Sequence, residues 1–269
     1  MTLGFSVAEL APVGSAPGGL KMGLRRVAER DWLQRDFDRR ARAAAFDAYP
    51  DAILMLPEGE AAGREVAAMV GVAGGLEAAA RACWEDLCVL LPGADGAPVL
   101  VGGAVGFPTD WRLSEKVGLP LTAVHAPIHG YAERLAGGVD HFVATLTLGP
   151  VFGRANWFIV PSAAWRYMPE DDPATRFAHV TAGNAGETLF VRCERQTLRR
   201  LPASGAVLFT IGIAVTRLDG LPGDIVAGIA RALGETGSGE HQRRAGPFYA
   251  KALAAYACGL RDGAAKRVA

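Results

Sequence analysis

The sequence FVRCERQTLRRLP at residues 190–202 and the sequence AVLFTIGIAVTRL at residues 206–218 decide the fold. The second is a run of branched and aromatic residues that is typical of a strand, and the first follows the same pattern with charges interspersed. Successive side chains of a strand point to opposite faces. One face of the first strand therefore carries Leu189, Val191, Cys193 and Arg195, and the other carries Arg192, Glu194 and Gln196.

The charged residues of this strand allow two interpretations. An arginine on the apolar face needs an anion or a set of hydrogen-bond acceptors, because a buried unpaired charge is costly. On the other face, Arg192 and Glu194 either pair in contact with solvent or serve as the convergent polar groups of a ligand pocket. From the pattern of the strand alone, the solvated pair of Arg192 and Glu194 is the preferred interpretation.

Working outward, a third strand is predicted at residues 154–160, and a hairpin is predicted at residues 87–107 around an Asp-Gly turn. Helical periodicity is found on both sides of these strands. The predicted helices lie at residues 24–49, 63–72, 76–86 and 131–148, and after Pro222 and Gly239. Because helices and strands are grouped instead of alternating, the predicted fold class is α+β, with an antiparallel sheet of about five strands and flanking helices at both ends.

The chain is predicted to form a single domain. Residues 1–20, rich in Gly, Pro and Ala, are expected to be a loosely held N-terminal segment. Residues 21–269 are expected to form one domain with helical extensions, and a composition that is 50% hydrophobic supplies its core.

Charge and composition exclude several classes of function. The 28 basic residues balance the 28 acidic ones, so the chain has no cationic excess for a nucleic acid backbone. No run reaches the roughly 18 apolar residues of a membrane span, and residues 1–20 lack the pattern of a signal peptide, so a cytoplasmic location is expected.

The four cysteines form no C-x-x-C pair and are expected to be reduced thiols. No G-x-G-x-x-G or P-loop motif is present, so a self-contained nucleotide-dependent enzyme is not expected.

Two histidines lie four residues apart in the sequence HAPIHGY at residues 125–131. Pro127 and Gly130 favour an extended or turning backbone there, so His125 and His129 can point in different directions. A neutral imidazole is a common metal ligand and suits haem iron. From spacing alone, ordinary loop histidines are the simpler interpretation.

These motifs together resemble the haem-dependent oxidative N-demethylase family, in particular its haem-carrying alpha subunit. The most specific blocks are the His-Ala-Pro motif with Gly130-Tyr131, and the block from Glu194 to Pro202. The remaining blocks are Met22-Gly23-Leu24-Arg25, Leu56-Pro57, Phe107-Pro108 with Trp111, Lys116-Val117-Gly118-Leu119-Pro120-Leu121 and Asn156-Trp157.

The resemblance implies a PAS-like antiparallel sheet that cups a b-type haem. It also implies a monooxygenase that uses O2 to remove a methyl group from a small methylated amine, with release of formaldehyde. Its electrons would come from NADPH through FMN and a 2Fe-2S cluster, all carried by partner reductase subunits. This chain lacks nucleotide-binding and cluster motifs, which agrees with the placement of these cofactors on other subunits.

The resemblance also implies roles for particular residues. His125 is expected to be the axial ligand of the haem iron, with Tyr131 and Arg195 also at the cofactor. Glu194, Arg195 and Arg192 are expected at the catalytic pocket, where Glu194 would hold the ammonium form of the substrate. Either arginine would polarise oxygen or clamp a haem propionate. His129 falls where the family is expected to have proline, so it is not assigned the ligand role.

Two other functions remain open from the sequence. The first is a non-catalytic haem-based sensor or carrier of gases or ligands, although the sequence contains no attached signalling module. The second is a relative that has lost haem. A haem spectrum distinguishes the second from the others.

Overall fold

A computed structural model describes residues 3–11 and 22–268. A seven-stranded antiparallel sheet forms its centre, with the strand order β1-β5-β6-β7-β3-β4-β2. The strands are β1 (Arg25–Val27), β2 (Ile53–Met55), β3 (Asp86–Pro92), β4 (Pro98–Ala104), β5 (Val151–Val160), β6 (Phe190–Arg200) and β7 (Val207–Arg217).

Eleven α-helices surround the sheet in the described residues. They are α1 (Val7–Leu10), α2 (Arg39–Ala48), α3 (Glu60–Met69), α4 (Leu76–Ala82), α5 (Leu121–Val124), α6 (Gly137–Thr145), α7 (Pro173–Arg176), α8 (Ala185–Thr188), α9 (Gly223–Gly234), α10 (Ser238–Arg243) and α11 (Ala250–Val268). A π-helical turn, Ala132–Ala136, precedes α6. The predicted α+β class is therefore confirmed.

The prediction of about five strands is wrong, because two short edge strands extend the sheet to seven. β1 and β2 have only three residues each, too few to show an alternating pattern. β1 also lies where the sequence predicts one helix over residues 24–49. That helix begins only at Arg39, where the Asp38 side chain caps it by accepting hydrogen bonds from the Arg40 and Ala41 amides, both at 2.9 Å.

The two faces of the sheet have different coverings. On one, the helix face, Val191 and Cys193 pack with apolar side chains of α3, α4, α9 and α11 in the largest core cluster. On the other, the site face, Leu198 and Phe209 pack with side chains of α5 and α6. The alternation predicted for β6 is confirmed, but both faces are covered. The interpretation of Arg192 and Glu194 as a solvated pair is therefore wrong, since their exposed fractions are 0% and 7%.

The N-terminal segment is described only at residues 3–11. Leu3, Val7 and Leu10 are buried there in the core of the helix face. Residues 1–2 and 12–20, the rest of the segment that is predicted to be loosely held, lie outside the described residues. Within the described part of the chain, no helix has both the length and the apolar character needed to cross a bilayer.

Candidate haem site

His125 lies just past the end of α5, at the rim of the site face. Its Nδ1 lies 2.8 Å from the main-chain carbonyl oxygen of Leu121, one turn earlier in the chain. An N–H at Nδ1 that donates to this carbonyl leaves Nε2 as the ring nitrogen with a free lone pair. Burial lowers the pKa of His125, and the hydrogen bond to Leu121 only partly offsets this effect. The neutral, metal-ligating form is therefore favoured at neutral pH.

Tyr131 packs against this imidazole. The two ring centroids are 4.4 Å apart, and the planes are inclined by 19°. Tyr131 is buried, and its hydroxyl group has no hydrogen-bond partner among the described residues. Burial raises the pKa of Tyr131 to about 12, so its phenol stays protonated and can donate a hydrogen bond. A buried donor without a partner is a feature expected beside a ligand.

Glu194 occupies the middle of β6 on the same face, opposite Asn156 of β5 and Ile213 of β7. Its Oε2 accepts a hydrogen bond of 2.9 Å from the Gln196 side chain. Burial lowers the pKa of Arg154 and the pKa of Arg192, and the negative charge of Glu194 partly offsets both effects. Glu194 is thus a buried carboxylate among arginines, on the face that His125 borders.

Among the described residues, no carboxylate lies within hydrogen-bond distance of Arg192. Its guanidinium donates to the carbonyl oxygens of Phe107, Pro108 and Ala164 and to the Thr109 hydroxyl, at 2.8–3.1 Å. Burial lowers its pKa to about 10, which still leaves it charged at neutral pH. Every guanidinium nitrogen of Arg192 is therefore engaged in fixing the wall of the site face that runs from Phe107 to Thr109.

Arg195 projects from the opposite side of β6, into the helix face. It is 1% exposed and donates to the carbonyl oxygens of Leu3 and Trp32, at 3.2 and 2.8 Å, and to that of Asp31. An arginine on the apolar face of the strand is expected to need an anion or a set of hydrogen-bond acceptors. For Arg195 these acceptors are main-chain carbonyl oxygens. The structure brings His125 and Tyr131 to the face that carries Glu194, and it does not bring Arg195 there.

Sequence reasoning missed Arg154 and Arg244. Arg154 lies on β5 opposite Gln196, on the site face. Arg244 follows α10 and donates to the Asn156 side chain at 3.1 Å and to the Trp157 carbonyl. The alternation of residues 154–160 places Arg154 and Asn156 on one face, but only the register with β6 shows that this face carries Glu194.

The second histidine of the motif points elsewhere. A Cβ atom added to Gly239 would lie 2.9 Å from the Cδ2 atom of His129, so this ring lies against the backbone of α10. His129 is exposed, unlike His125, which is partly buried. The two histidines therefore have different surroundings, as the turn at Pro127 and Gly130 predicts.

The partly buried apolar side chains of the site face pack against one cluster, which also contains Leu121 of α5, the helix that precedes His125. These side chains include Trp111, Val124, Phe142, Phe152, Leu198 and Phe209. A haem combines a wide apolar surface, an iron that binds imidazole and two anionic propionates. An apolar wall, an imidazole with a free Nε2, an unpartnered phenol and a nearby arginine fit such a group.

Comparison with known proteins agrees with this fit. The model of the family described as haem-dependent oxidative N-demethylase, alpha subunit-like, matches residues 71–238. The match covers more than half of the chain and includes His125, Tyr131, Arg154 and Glu194. The chain belongs to this haem-dependent oxidative N-demethylase alpha subunit-like family. The family description names haem as the cofactor and an alpha subunit as the component.

Proposed function

We propose that this chain is the haem-carrying subunit of an oxygen-dependent N-demethylase, and that Nε2 of His125 is the axial ligand of the iron. The observation that carries the proposal is the 2.8 Å contact between His125 Nδ1 and the Leu121 carbonyl. Metal-ligating histidines characteristically donate their other N–H to a carbonyl or carboxylate, which fixes both tautomer and ring orientation. We further infer that the sheet is the PAS-like sheet of this family and that the protein works in the cytoplasm.

The proposed reaction consumes a small methylated amine, O2, two electrons and two protons, and yields the demethylated amine, formaldehyde and water. The haem, when bound, supplies the activation of oxygen. Partner reductase subunits supply the electrons from NADPH through FMN and a 2Fe-2S cluster. Hydroxylation of the N-methyl group gives a carbinolamine, which breaks its C–N bond to release formaldehyde.

The chain's own residues bind and orient the reactants. Glu194 binds the ammonium form of the amine through its carboxylate, an interaction that burial strengthens. The Tyr131 hydroxyl donates a hydrogen bond to a ligand on the site face. Arg192 maintains the wall formed by Phe107 to Thr109. Arg195 acts from the other face by holding the N-terminal segment and residues 31–32 in place.

Substitution of the ligand tests the assignment. His125→Ala should purify without haem, or should bind haemin only when imidazole is added to replace the lost ligand. His129→Ala is the matched control, because it removes an exposed imidazole four residues away. It should keep the haem content and visible spectrum of the wild type. Loss of haem in His129→Ala together with retention in His125→Ala would contradict the assignment.

A second experiment distinguishes an enzyme from a haem sensor or carrier. The haem-loaded protein is supplied with a reductase, NADPH and secondary or tertiary methylamines, and formaldehyde is measured. Formation of formaldehyde in step with NADPH consumption is expected. Haem binding without formaldehyde from any methylated amine, under conditions in which the iron is reduced, would favour the sensor or carrier.

A further inference from the structure

Asn156 of β5 has an amide group whose orientation is fixed by its contacts. Its Oδ1 accepts hydrogen bonds of 3.1 Å from the main-chain amide of Trp157 and from Nη2 of Arg244. Both partners are donors, so the oxygen of this amide faces them and the nitrogen, Nδ2, is left for another partner. Nδ2 has no hydrogen-bond partner among the residues that the structure describes. Asn156 is only partly buried, and it therefore offers a donor to a ligand.

Arg244 holds this orientation from the end of α10. Its Nε forms an ion pair of 2.6 Å with Oε1 of Glu240, and its Nη1 donates to the Trp157 carbonyl. With Nη2 on Asn156, all three nitrogens of the guanidinium have acceptors. Turning the amide of Asn156 over would place Nδ2 against a guanidinium donor, which is unfavourable. Arg244 is thus a positioning residue for Asn156.

Glu194 lies directly opposite Asn156 in the register of β5 and β6. Residues that are opposite each other on antiparallel strands have Cβ atoms about 4.5–5.5 Å apart on the same face. Gln196 donates a hydrogen bond of 2.9 Å to Oε2 of Glu194, whereas Oε1 has no hydrogen-bond partner among the described residues. A donor and an acceptor, each without a partner in the described part of the chain, therefore lie side by side on the site face.

The arginines around Glu194 are engaged elsewhere. Arg154, Arg192 and Arg243 are its electrostatic neighbours. Arg192 donates its hydrogen bonds to main-chain and hydroxyl oxygens. Arg243 donates to both carboxylate oxygens of Glu240, at 2.6 and 2.8 Å. Oε1 of Glu194 is therefore available to a cationic group of a ligand.

Ile213 of β7 is the next residue of the same row, opposite Glu194. It belongs to an apolar cluster against which the partly buried Trp165 and Val215 pack. The row thus runs from the amide donor of Asn156, through a carboxylate, to an apolar side chain. A ligand that carries an acceptor oxygen, an ammonium nitrogen and an N-methyl group in this order matches all three.

We propose that Asn156 selects the substrate, which is an N-methylated amine with a hydroxyl or carbonyl oxygen two carbon atoms from its nitrogen. Nδ2 of Asn156 donates a hydrogen bond to that oxygen while Glu194 binds the ammonium group. The inference rests on the proposed function, since it takes Glu194 as the carboxylate that binds the amine. An analogue without the oxygen binds more weakly, because it leaves the Asn156 donor without a partner.

Binding of two isosteric amines to the haem-loaded protein tests the inference. Dimethylaminoethanol has a hydroxyl group where dimethylpropylamine has a methyl group. Isothermal titration calorimetry should show that the wild type binds the amino alcohol at least about tenfold more tightly. Asn156→Leu, which replaces the amide by an apolar group of similar size, should remove this preference without weakening the binding of dimethylpropylamine. Arg244→Met, which frees the amide of Asn156 to turn over, should reduce the preference.

Gln242→Leu is the matched control, because it removes an exposed amide group of α10, and it should keep the wild-type preference. Equal affinity of the wild type for the two amines, or a full preference in both Asn156→Leu and Arg244→Met, would overturn the role of Asn156. The proposed function would still stand if both amines bound and released formaldehyde. Failure of the wild type to bind either amine, or to release formaldehyde from either when its iron is reduced, would overturn the proposed function itself.

Discussion

The rings of His125 and Tyr131 are stacked, 4.4 Å apart and within 19° of parallel. The chain between them turns back at Pro127 and Gly130, and Gly130 has a φ of 74°, a conformation that favours glycine. The imidazole is thus fixed in two ways, by Tyr131 at one of its faces and by the Leu121 carbonyl at Nδ1. A ring held in this way presents Nε2 in one direction only.

Shortening Tyr131 should weaken haem binding through its effect on His125. Tyr131→Ala removes the stacked ring, and an aromatic pair contributes about 0.5–1.5 kcal/mol beyond burial. Haemin should therefore bind roughly 3- to 10-fold more weakly, as measured by absorbance titration of the haem-free protein. Tyr131→Phe keeps the stacked ring and removes only the hydroxyl group, so it should bind haemin more tightly than Tyr131→Ala does. Equal affinity of the Ala variant and the wild type would show that the stack does not orient the ligand.

Loss of Arg195 should destabilise the fold without weakening haem binding. Arg195→Met leaves three main-chain carbonyls, of Leu3, Asp31 and Trp32, without their donor. Each buried acceptor without a partner costs about 1–3 kcal/mol, so the free energy of unfolding should fall by several kcal/mol in urea titrations. Haemin affinity of the folded variant should match the wild type, because Arg195 lies on the face opposite His125. A selective loss of haemin affinity at unchanged stability would place Arg195 at the cofactor instead.

Local patterns in the sequence predict much of the sheet. The hairpin of β3 and β4, the three long strands and the alternation of side chains along β6 all follow from neighbouring residues. The His-Ala-Pro motif is also local, and its proline and glycine correctly predict that the two histidines diverge.

The features that the sequence does not predict depend on contacts between residues that are far apart in the chain. The carbonyls that bind Arg195 belong to residues up to 192 positions away, so no local pattern predicts them. Arg154 joins the site only because β5 pairs with β6 in a register that places it opposite Gln196. Edge strands β1 and β2 depend likewise on their partners, since three residues have little strand preference of their own.

Arg192 is expected to maintain the wall of the site. Arg192→Lys keeps the charge but cannot reproduce a planar guanidinium that reaches Phe107, Pro108, Thr109 and Ala164 at once. The free energy of unfolding should fall by roughly 3 kcal/mol, and haemin should bind more weakly because the wall moves. Arg217→Lys is the control, since Arg217 is an exposed arginine at the end of β7, and it should change neither quantity. Wild-type stability in Arg192→Lys would contradict this role.

Glu85 is a buried carboxyl group on the helix face that should make stability depend on pH. Its Oε1 accepts a hydrogen bond of 2.8 Å from the Gln34 amide, while its Oε2 is buried without a partner among the described residues. Burial raises the pKa of Glu85 from 4.5 to about 7, against the opposing effects of the Gln34 hydrogen bond and the positive charges of Arg195 and Arg42. Asp86 and Cys83 are the other titratable groups beside it, and both also have raised pKa values.

A carboxyl group whose pKa is higher in the folded state binds its proton more tightly there. Its contribution to stability is therefore fully present below pH 4.5 and is lost as the pH rises towards 7. A difference of this size corresponds to roughly 3 kcal/mol. Glu85→Gln, which resembles the protonated form, should remove this part of the pH dependence in urea titrations from pH 5 to 8. Glu58→Gln changes an exposed carboxyl group and should keep the wild-type profile. If Glu85→Gln keeps that profile as well, Glu85 does not titrate in this range.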